Sequence, residues 1–455
     1  MADAPEPLLP ARTDPVRTDV VLPPEMAAAP VRRVFAALAA AGGEARFVGG
    51  AVRDLISGDP IGDIDVATTL EPPAVMAAAA AAGIKAVPTG IEHGTVTLIA
   101  DRFPVEVTTL RRDVATDGRR AVVAFSRDWA EDARRRDFTV NAMSLDLAGR
   151  LYDPFDGLSD LAAGRVRFIG DARRRILEDI LRILRFFRFQ ARLGRGEPDR
   201  AAVDACREFA ERIQALSGER IREEFLRILG GPRVAGGDGI LLLMADLGVL
   251  DQVLGGIVDT GPLDALIAIE EALDMADAAR RLAVLTATCG PAFGAVDHWR
   301  RRIERLKPSN QLAARVGAVA EATARLPARP PSPMTVRVAA YREGITTIRD
   351  RLFAGWARAQ ARGTLAADDE AGFRSAIGAL SGWSQPHLPL GGADLIALGL
   401  KPGPGLGQAL SEIEAWWLDE GFVPDRGACL AEARRRFVPI GTSAGGGSST
   451  GGGGR

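Results

Sequence analysis

Cysteine and histidine are both scarce in this 455-residue chain: three of each, Cys206, Cys289 and Cys429 and His93, His298 and His387, all far apart. With no Cys-x-x-Cys and no Cys/His cluster, neither a disulfide framework nor a structural zinc site is expected. The two histidines of the C-terminal half form no His-Asp pair of the phosphohydrolase kind. Lysine is nearly missing too. Of 57 basic residues only Lys85, Lys307 and Lys401 are lysine, so the positive charge is almost all arginine, whose planar fork suits phosphates and base edges. An excess of either sign is absent, with 57 basic residues against 59 acidic ones. No global field draws the chain to nucleic acid, so any such contact must be local. The longest apolar stretches, 74–84 and 239–244, fall well short of the roughly 18 residues of a membrane span. The opening MADAPEPLLPARTDPVRTD has no basic segment leading into an apolar one, so no secretory signal is expected and the reading is cytoplasmic.

What is present is ordinary globular material, 47% hydrophobic and 25% charged, in a length that suggests several domains. Residues 1–25 alternate proline, acid and arginine without a hydrophobic period, and 441–455 are Gly/Ser-rich; both ends are expected to be disordered. Residues 26–165 read as mixed α/β: short strands near 46–48 and 64–66, Ala-rich helices, and a hairpin of 95–99 with 103–107. From about 170 the apolar residues recur at three and four positions, which predicts helices to the end. Breaks at Gly230-Gly231-Pro232, 329–333 and 399–405 divide these into 166–235, 236–328 and 329–440.

The chemistry concentrates in the first half. Asp63 and Asp65 stand two apart in a strand-like run, and a strand's two-residue period points both carboxylates to one face, where they can share a cation. Alone, such a pair describes a solvated turn far more often than a site. Upstream, Gly49-Gly50 ends a strand and opens a helix, where backbone N–H groups can approach phosphate, and Arg53 follows one turn later. An Arg53–Asp54 surface pair is the plainer reading of that arginine. Glu106 is the candidate third carboxylate, carried by the second strand of the hairpin. Such a set serves two-metal phosphoryl or nucleotidyl transfer, and all-oxygen ligation suits Mg2+. Arg136, Asp137 and Asn141 offer an arginine for phosphate and a carboxylate or amide for a ribose hydroxyl; a locally capped helix start is the alternative.

In GluAspIleLeuArgIleLeuArg, the spacing of three predicts Asp179, Arg182 and Arg185 on one helix face, continued by Arg188 and Arg192. Cytosine and adenine each present an exocyclic amine beside a ring-nitrogen acceptor. Asp179 can accept from the amine and Arg182 can donate to the ring nitrogen, which admits CTP and ATP and leaves unpaired groups against GTP and UTP. A Glu178–Arg182 salt bridge on a solvated face is the bland reading. Residues 165–195 hold ten arginines against Asp171, Glu178 and Asp179, and triphosphate or RNA is expected there.

Taken together, GlyGlyAlaValArgAsp with AspIleAsp, GluValThrThrLeuArg, ArgArgAspPheThrValAsnAla, TyrAspProPheAspGly and GluAspIleLeuArgIleLeuArg resemble, in order and spacing, the class II CCA-adding enzymes and bacterial poly(A) polymerases. The resemblance covers about residues 45–230 and implies an α/β nucleotidyltransferase head with a DNA polymerase beta-like mixed sheet, followed by an all-α neck, body and tail. It implies magnesium on Asp63 and Asp65, nucleotide contacts from Gly50, Arg53, Arg136, Arg182, Arg185 and Arg188, and base reading by Asp179. It further marks 152–157 as hinge-like and 219–224 as a brace for the neck helix. Residues 109–120 look like the flexible loop that CC-adding members lack, and 89–97 look like the CCA-adding version. The expectation is CCA addition to tRNA from CTP and ATP, with a tRNA-binding tail whose 392–407 segment reads as two helix ends joined by a turn. Poly(A) or A-only addition is the enzyme alternative, and an inactive RNA-binding scaffold the alternative of another class.

Overall fold

A computed structural model describes residues 11–116, 121–234, 239–255, 259–287, 298–322 and 326–438. The expected α/β start is built on ten strands: β1 (Pro15–Arg17), β2 (Ala45–Val48), β3 (Asp65–Thr68), β4 (Lys85–Gly90), β5 (Thr95–Ala100), β6 (Phe103–Thr109), β7 (Arg111–Thr116), β8 (Ala121–Phe125), β9 (Ser144–Leu145) and β10 (Leu151–Tyr152). Eight of them form one sheet in the order β1-β10-β9-β2-β3-β6-β5-β4, while β7 and β8 pair separately. The sheet is mixed, because β3 runs parallel to β6 and the other pairs are antiparallel. The hairpin of β5 and β6 turns at Asp101-Arg102, both with positive φ, as a tight two-residue connection requires.

Alternation decides which face does what. In β3, Val66 and Thr68 are wholly buried and Asp65 is only half-buried; in β6, Val105 and Val107 are buried and Glu106 is exposed. Helices α1 (Ala29–Ala40) and α3 (Pro72–Ala81) pack their apolar sides near this sheet, with Phe35 of α1 against Phe47 of β2 at 4.7 Å between ring centroids. The other face keeps the carboxylates. Helix α2 (Gly50–Ser57) leaves the end of β2, and α4 (Trp129–Arg134) and α5 (Gly157–Ala163) follow.

One expectation fails at the start of the chain. Residues 11–25 belong to the stretch expected to be disordered, yet β1 pairs with β10 at Pro15–Tyr152 and Arg17–Leu151, and the backbone N–H of Val20 donates to Gly149 O. The sheet edge supplies the hydrogen bonds that the segment's own composition does not foretell. The Gly/Ser tail at 441–455 lies outside the described residues.

Helices then take over: α6 (Ala172–Glu178), α7 (Arg182–Leu193), α8 (Arg200–Phe209) and α9 (Gly218–Leu229) fall in the expected neck, and further helices run to Ala320. Their apolar stripes meet in a core that includes Phe138, Phe168, Phe186, Phe187 and Phe225, all 2% exposed or less. The chain divides into two units, 1–320 and 321–455, so the expected head, neck and nearly all of the body fall in the first. The second unit is helical, with Leu395, Ile413, Trp417 and Cys429 in its core. The 392–407 segment is, as read from sequence, two helix ends, Gly392–Ala397 and Pro404–Asp419, around a turn. Among the described residues no helix is long and apolar enough to cross a membrane.

Candidate active site

The glycine pair sits where β2 hands over to α2. Gly49 has φ 68°, and a Cβ there would stand 3.1 Å from Arg136 Nη1 and 4.0 Å from Asp65 Oδ2. The positive φ favours glycine, and a side chain there would press on the Arg136 guanidinium. This turn forms one wall of a cleft of about 640 Å3, also lined by Arg53, Asp65, Arg111, Arg135, Arg136, Asp137, Asn141, Asp179, Leu181, Arg182, Arg185, Arg188, Phe189 and Arg220. Eight arginines thus face three carboxylates. The cavity suits a polyanion, because guanidinium groups there are partly desolvated and aimed at one space.

Strand register sets the carboxylates at this end: Asp65 lines the cleft, while Glu106 and Asp63 are not among its lining residues. Asp65 opens β3 and pairs across the parallel ladder with Glu106 of β6, so both side chains stand on the same face. The hairpin brings Glu106 to this place, as anticipated. Asp63 departs from expectation: β3 begins only at Asp65, and Asp63 lies exposed in the bend before it. It remains near enough to act on Asp65. Burial, then the charges of Glu106 and Asp63, push the Asp65 carboxyl above its ordinary range, against the pull of Arg136. An all-oxygen site under such mutual repulsion fits a hard divalent cation. Among the described residues no three His, Cys, Asp or Glu groups close a metal cage by themselves. Hard-ion sites of this type take further ligands from substrate phosphates, so two protein carboxylates suffice.

The side wall is a chain of charge contacts. Asp137 Oδ2 accepts from Arg185 Nε at 2.7 Å, and its Oδ1 accepts from the Phe138 N–H and Asn141 Nδ2, both at 2.9 Å. Asn141 Oδ1 accepts from Arg53 Nη1 at 2.6 Å, and Arg53 Nε donates to Asp54 Oδ1 at 2.8 Å. The Arg53–Asp54 pair therefore exists, but it is buried rather than superficial. Burial pulls Arg53 below its usual pKa. Burial also opposes the charge on Arg185, but Asp137 and Glu224 outweigh it and hold that guanidinium above its ordinary value. Arg188 Nε lies 2.8 Å from Glu224 Oε2, a close ion pair whose N–H is misaligned for a hydrogen bond. Arg53, Arg185 and Arg188 all gather around the Phe189 ring.

Asp179 and Arg182, expected to read the base, are both brought to the cleft, but not on one helix. Asp179 has φ −155° and ψ 108° and separates α6 from α7. Its Oδ1 accepts the Leu181 N–H at 3.1 Å, a local side-chain-to-backbone turn that a short carboxylate makes just ahead of α7. Arg220 Nη2 of α9 holds both its oxygens, at 3.1 and 2.8 Å. Arg182 opens α7; its Nη1 donates to Glu178 Oε2 at 2.7 Å and Arg175 O at 2.8 Å, and its Nη2 to Arg135 O at 3.2 Å. The Glu178–Arg182 bridge is present, yet it supports a cleft-lining arginine instead of decorating a solvated face.

All ten residues read from sequence as nucleotide-binding line the cleft: Gly49, Gly50, Arg53, Arg136, Asp137, Asn141, Asp179, Arg182, Arg185 and Arg188. Arg111, Arg135, Phe189 and Arg220 were missed. Arg220 lies in the 219–224 segment taken only as a brace, and Arg135 stands beside the chosen Arg136. Arg111 begins β7, inside the 109–120 loop region; residues 117–120 of that region lie outside the described residues. In the 152–157 segment, expected to be hinge-like, Asp153 accepts from the Gly157 and Leu158 N–H groups at 2.8 Å.

Known proteins resemble this chain in sequence and fold. Residues 45–167 match the family described as poly A polymerase head domain, and 197–258 match "Probable RNA and SrmB- binding site of polymerase A". A CCA-adding enzyme of Lacticaseibacillus paracasei is 33% identical over 413 residues, 88% of this chain and 93% of that protein. The mitochondrial CCA tRNA nucleotidyltransferase 1 of Mus musculus is 45% identical over 213 residues, 46% of this chain and 48% of the mouse protein. With several curated relatives, then, the match spans about half of their length. The crystal structure of the Bacillus stearothermophilus CCA-adding enzyme in complex with CTP superposes with a TM-score of 0.71 at 27% identity, over 91% of this chain and 98% of that one.

Proposed function

Because this chain belongs to the CCA-adding enzyme family, we propose that it adds C, C and A to the 3′ end of tRNA from CTP and ATP, without a nucleic acid template. The observation that carries this reading is one cleft in which Asp65, the phosphate-facing glycine turn, eight arginines and Asp179 converge. The 3′-terminal hydroxyl of tRNA forms the new bond to the α-phosphorus, and pyrophosphate leaves with the electrons of the broken bond. Gly49, Gly50, Arg53 and Arg136 would cradle the phosphates at the Asp65 end, and Arg185 and Arg188 would neutralise the triphosphate along the wall. Asp179 and Arg182 would read the base edge. Arg220 and Glu178 preset their positions, and Asp137 and Asn141, already engaged with Arg185 and Arg53, brace those arginines more than they read a ribose.

Asp63 and Asp65, with Glu106 adjoining, would hold divalent cations, magnesium by the hardness of the donor set. These would acidify the attacking hydroxyl and neutralise charge on the leaving pyrophosphate. The tail unit would contact tRNA, and a cytoplasmic location goes with the same reading. One incubation tests it: tRNA lacking its last three nucleotides, with labelled CTP and ATP. Stepwise growth by three nucleotides is the expected result. Long ATP-only tails would mark a poly(A) polymerase, and no incorporation an RNA-binding scaffold.

A further inference from the structure

We propose that Asp132 is a positioning residue that ties the β7–β8 hairpin to the arginines of the nucleotide cleft, so that the hairpin's placement is felt in nucleotide affinity and choice. The inference rests on the nucleotidyl-transfer reading above. Asp132 lies on α4, 3% exposed, and does not itself line the cleft. Its Oδ1 accepts the backbone N–H of Arg111, the first residue of β7, at 3.3 Å, and Arg135 Nε at 2.8 Å; its Oδ2 accepts Arg136 Nη2 at 3.2 Å. Arg111, Arg135 and Arg136 all line the cleft.

Each of the three leads to a different part of the site. Arg136 reaches the Gly49 turn, and its charge acts on Asp65. Arg135 accepts Arg182 Nη2 through its carbonyl, which supports the base-reading arginine. Arg111 Nη1 donates to His93 O at 2.6 Å, fixing the hairpin root to the turn before β5. One buried carboxylate is therefore the common acceptor for the hairpin root, the phosphate end and the base end. Burial alone would favour its neutral form, but Arg136 and Arg135 keep its pKa below the ordinary range, so the ionised acceptor persists. A shift of the hairpin at Arg111 would move the acceptor that both neighbouring arginines share, and misplacement of about 1 Å in positioning groups costs on the order of a hundredfold.

The test is Asp132→Asn in the full chain, assayed with tRNA lacking its last three nucleotides and with tRNA ending in CC. The expected result is a rise of about tenfold in KM for CTP and ATP and reduced discrimination against UTP, together with a melting temperature lowered by several degrees because a buried charged acceptor is lost. A folded variant with unchanged KM and discrimination, or with a fall in kcat alone, would overturn the proposal. Should the variant fail to fold, Arg111→Pro and Arg111→Ala ask the same question, since both lose the side chain and only proline loses the N–H. A higher nucleotide KM for the proline variant supports the link, and equal values refute it. If the unsubstituted chain extended no tRNA, the function reading would fall; CTP binding by calorimetry, compared between it and Asp132→Asn, would still decide the role of Asp132.

Discussion

Two regions of the first unit pair arginine with carboxylate to opposite ends. In the body, Glu270 is wholly inaccessible and takes Arg280 Nη1 at 2.8 Å and Arg281 Nε at 2.6 Å; both arginines are 3% exposed. Both arginines also bond to backbone: Arg280 Nη1 to Met275 O, and Arg281 Nη1 to Leu229 O and Gly231 O, where α9 ends. That cluster is closed. In the cleft, Asp137 and Asp179 bind Arg185 and Arg220, and all four side chains line one cavity. The chemistry of the pairs is the same, and the difference lies in whether they border a cavity or are sealed from solvent. Charged pairs around a cavity can receive an anion, while sealed pairs only hold helices together.

The largest effect that separates the two regions should come from Asp65→Ala. Transfer is expected to fall by at least about a thousandfold, with melting temperature nearly unchanged, because the half-buried Asp65 carboxylate strains the fold more than it supports it. Initial rates of CTP incorporation and a thermal melt check both halves. Near-normal turnover would remove Asp65 from the site.

Glu270→Ala should do the reverse. Removing one partner of a buried ion cluster leaves two arginines uncompensated, at a cost of about 3–5 kcal/mol in stability. Activity per folded molecule should hold at temperatures well below the melt. Urea titration with parallel activity assays reads this, and loss of activity without loss of stability would erase the distinction drawn between the regions.

Asp179→Ala sharpens the comparison inside the cleft. Discrimination between CTP and UTP is expected to fall by about tenfold to a hundredfold, since one base-directed acceptor is lost and Arg220 is freed into the site. Binding of tRNA should change much less. Unchanged CTP/UTP selectivity would show that protein atoms other than Asp179 choose the base.

How far the sequence carried this picture differs between the same regions. The cleft residues were legible because glycine, aspartate and arginine at those spacings have few structural reasons to recur together, and the hairpin did bring Glu106 beside the aspartate strand, whereas the strand period assumed for Asp63 and Asp65 fails because β3 begins only at Asp65. Their partners were not legible. Nothing local in the sequence says that Arg220 lies 41 positions from Asp179 and binds it, or that Asp179 interrupts a helix. A spacing of three fits an unbroken helix equally well; the extended backbone of Asp179 and its bond to the Leu181 N–H decide against it. The Glu270 cluster was not foreseen at all, because a charged residue within an apolar helix carries no mark of where its partners lie. The ordered β1 was missed for a related reason: its hydrogen bonds come from β10, far along the chain.

The smallest effect concerns Asp137, which belongs to both classes, lining the cleft yet almost fully engaged. Burial would raise its carboxyl pKa, but Arg185, the Asn141 amide and the Phe138 N–H outweigh that and hold it below the ordinary value. A carboxylate whose folded pKa is depressed adds stability that is complete above its unfolded pKa, about 4, and is lost as pH falls through the folded one. Asp137→Asn has no such titration. Its deficit against the unsubstituted chain should therefore be constant above about pH 5, on the order of 1.5–3 kcal/mol for a charged hydrogen-bond partner, and should shrink on acidification. Taking the difference between the two chains at each pH cancels the other carboxylates, which titrate in both. Denaturant midpoints at pH 7, 5, 4 and 3 would trace it. A deficit that stays flat to pH 3 would mean that Asp137 contributes through shape and neutral hydrogen bonds alone, and that its bond to Arg185 is closer to the sealed cluster around Glu270 than to the charge-poised wall of the cleft.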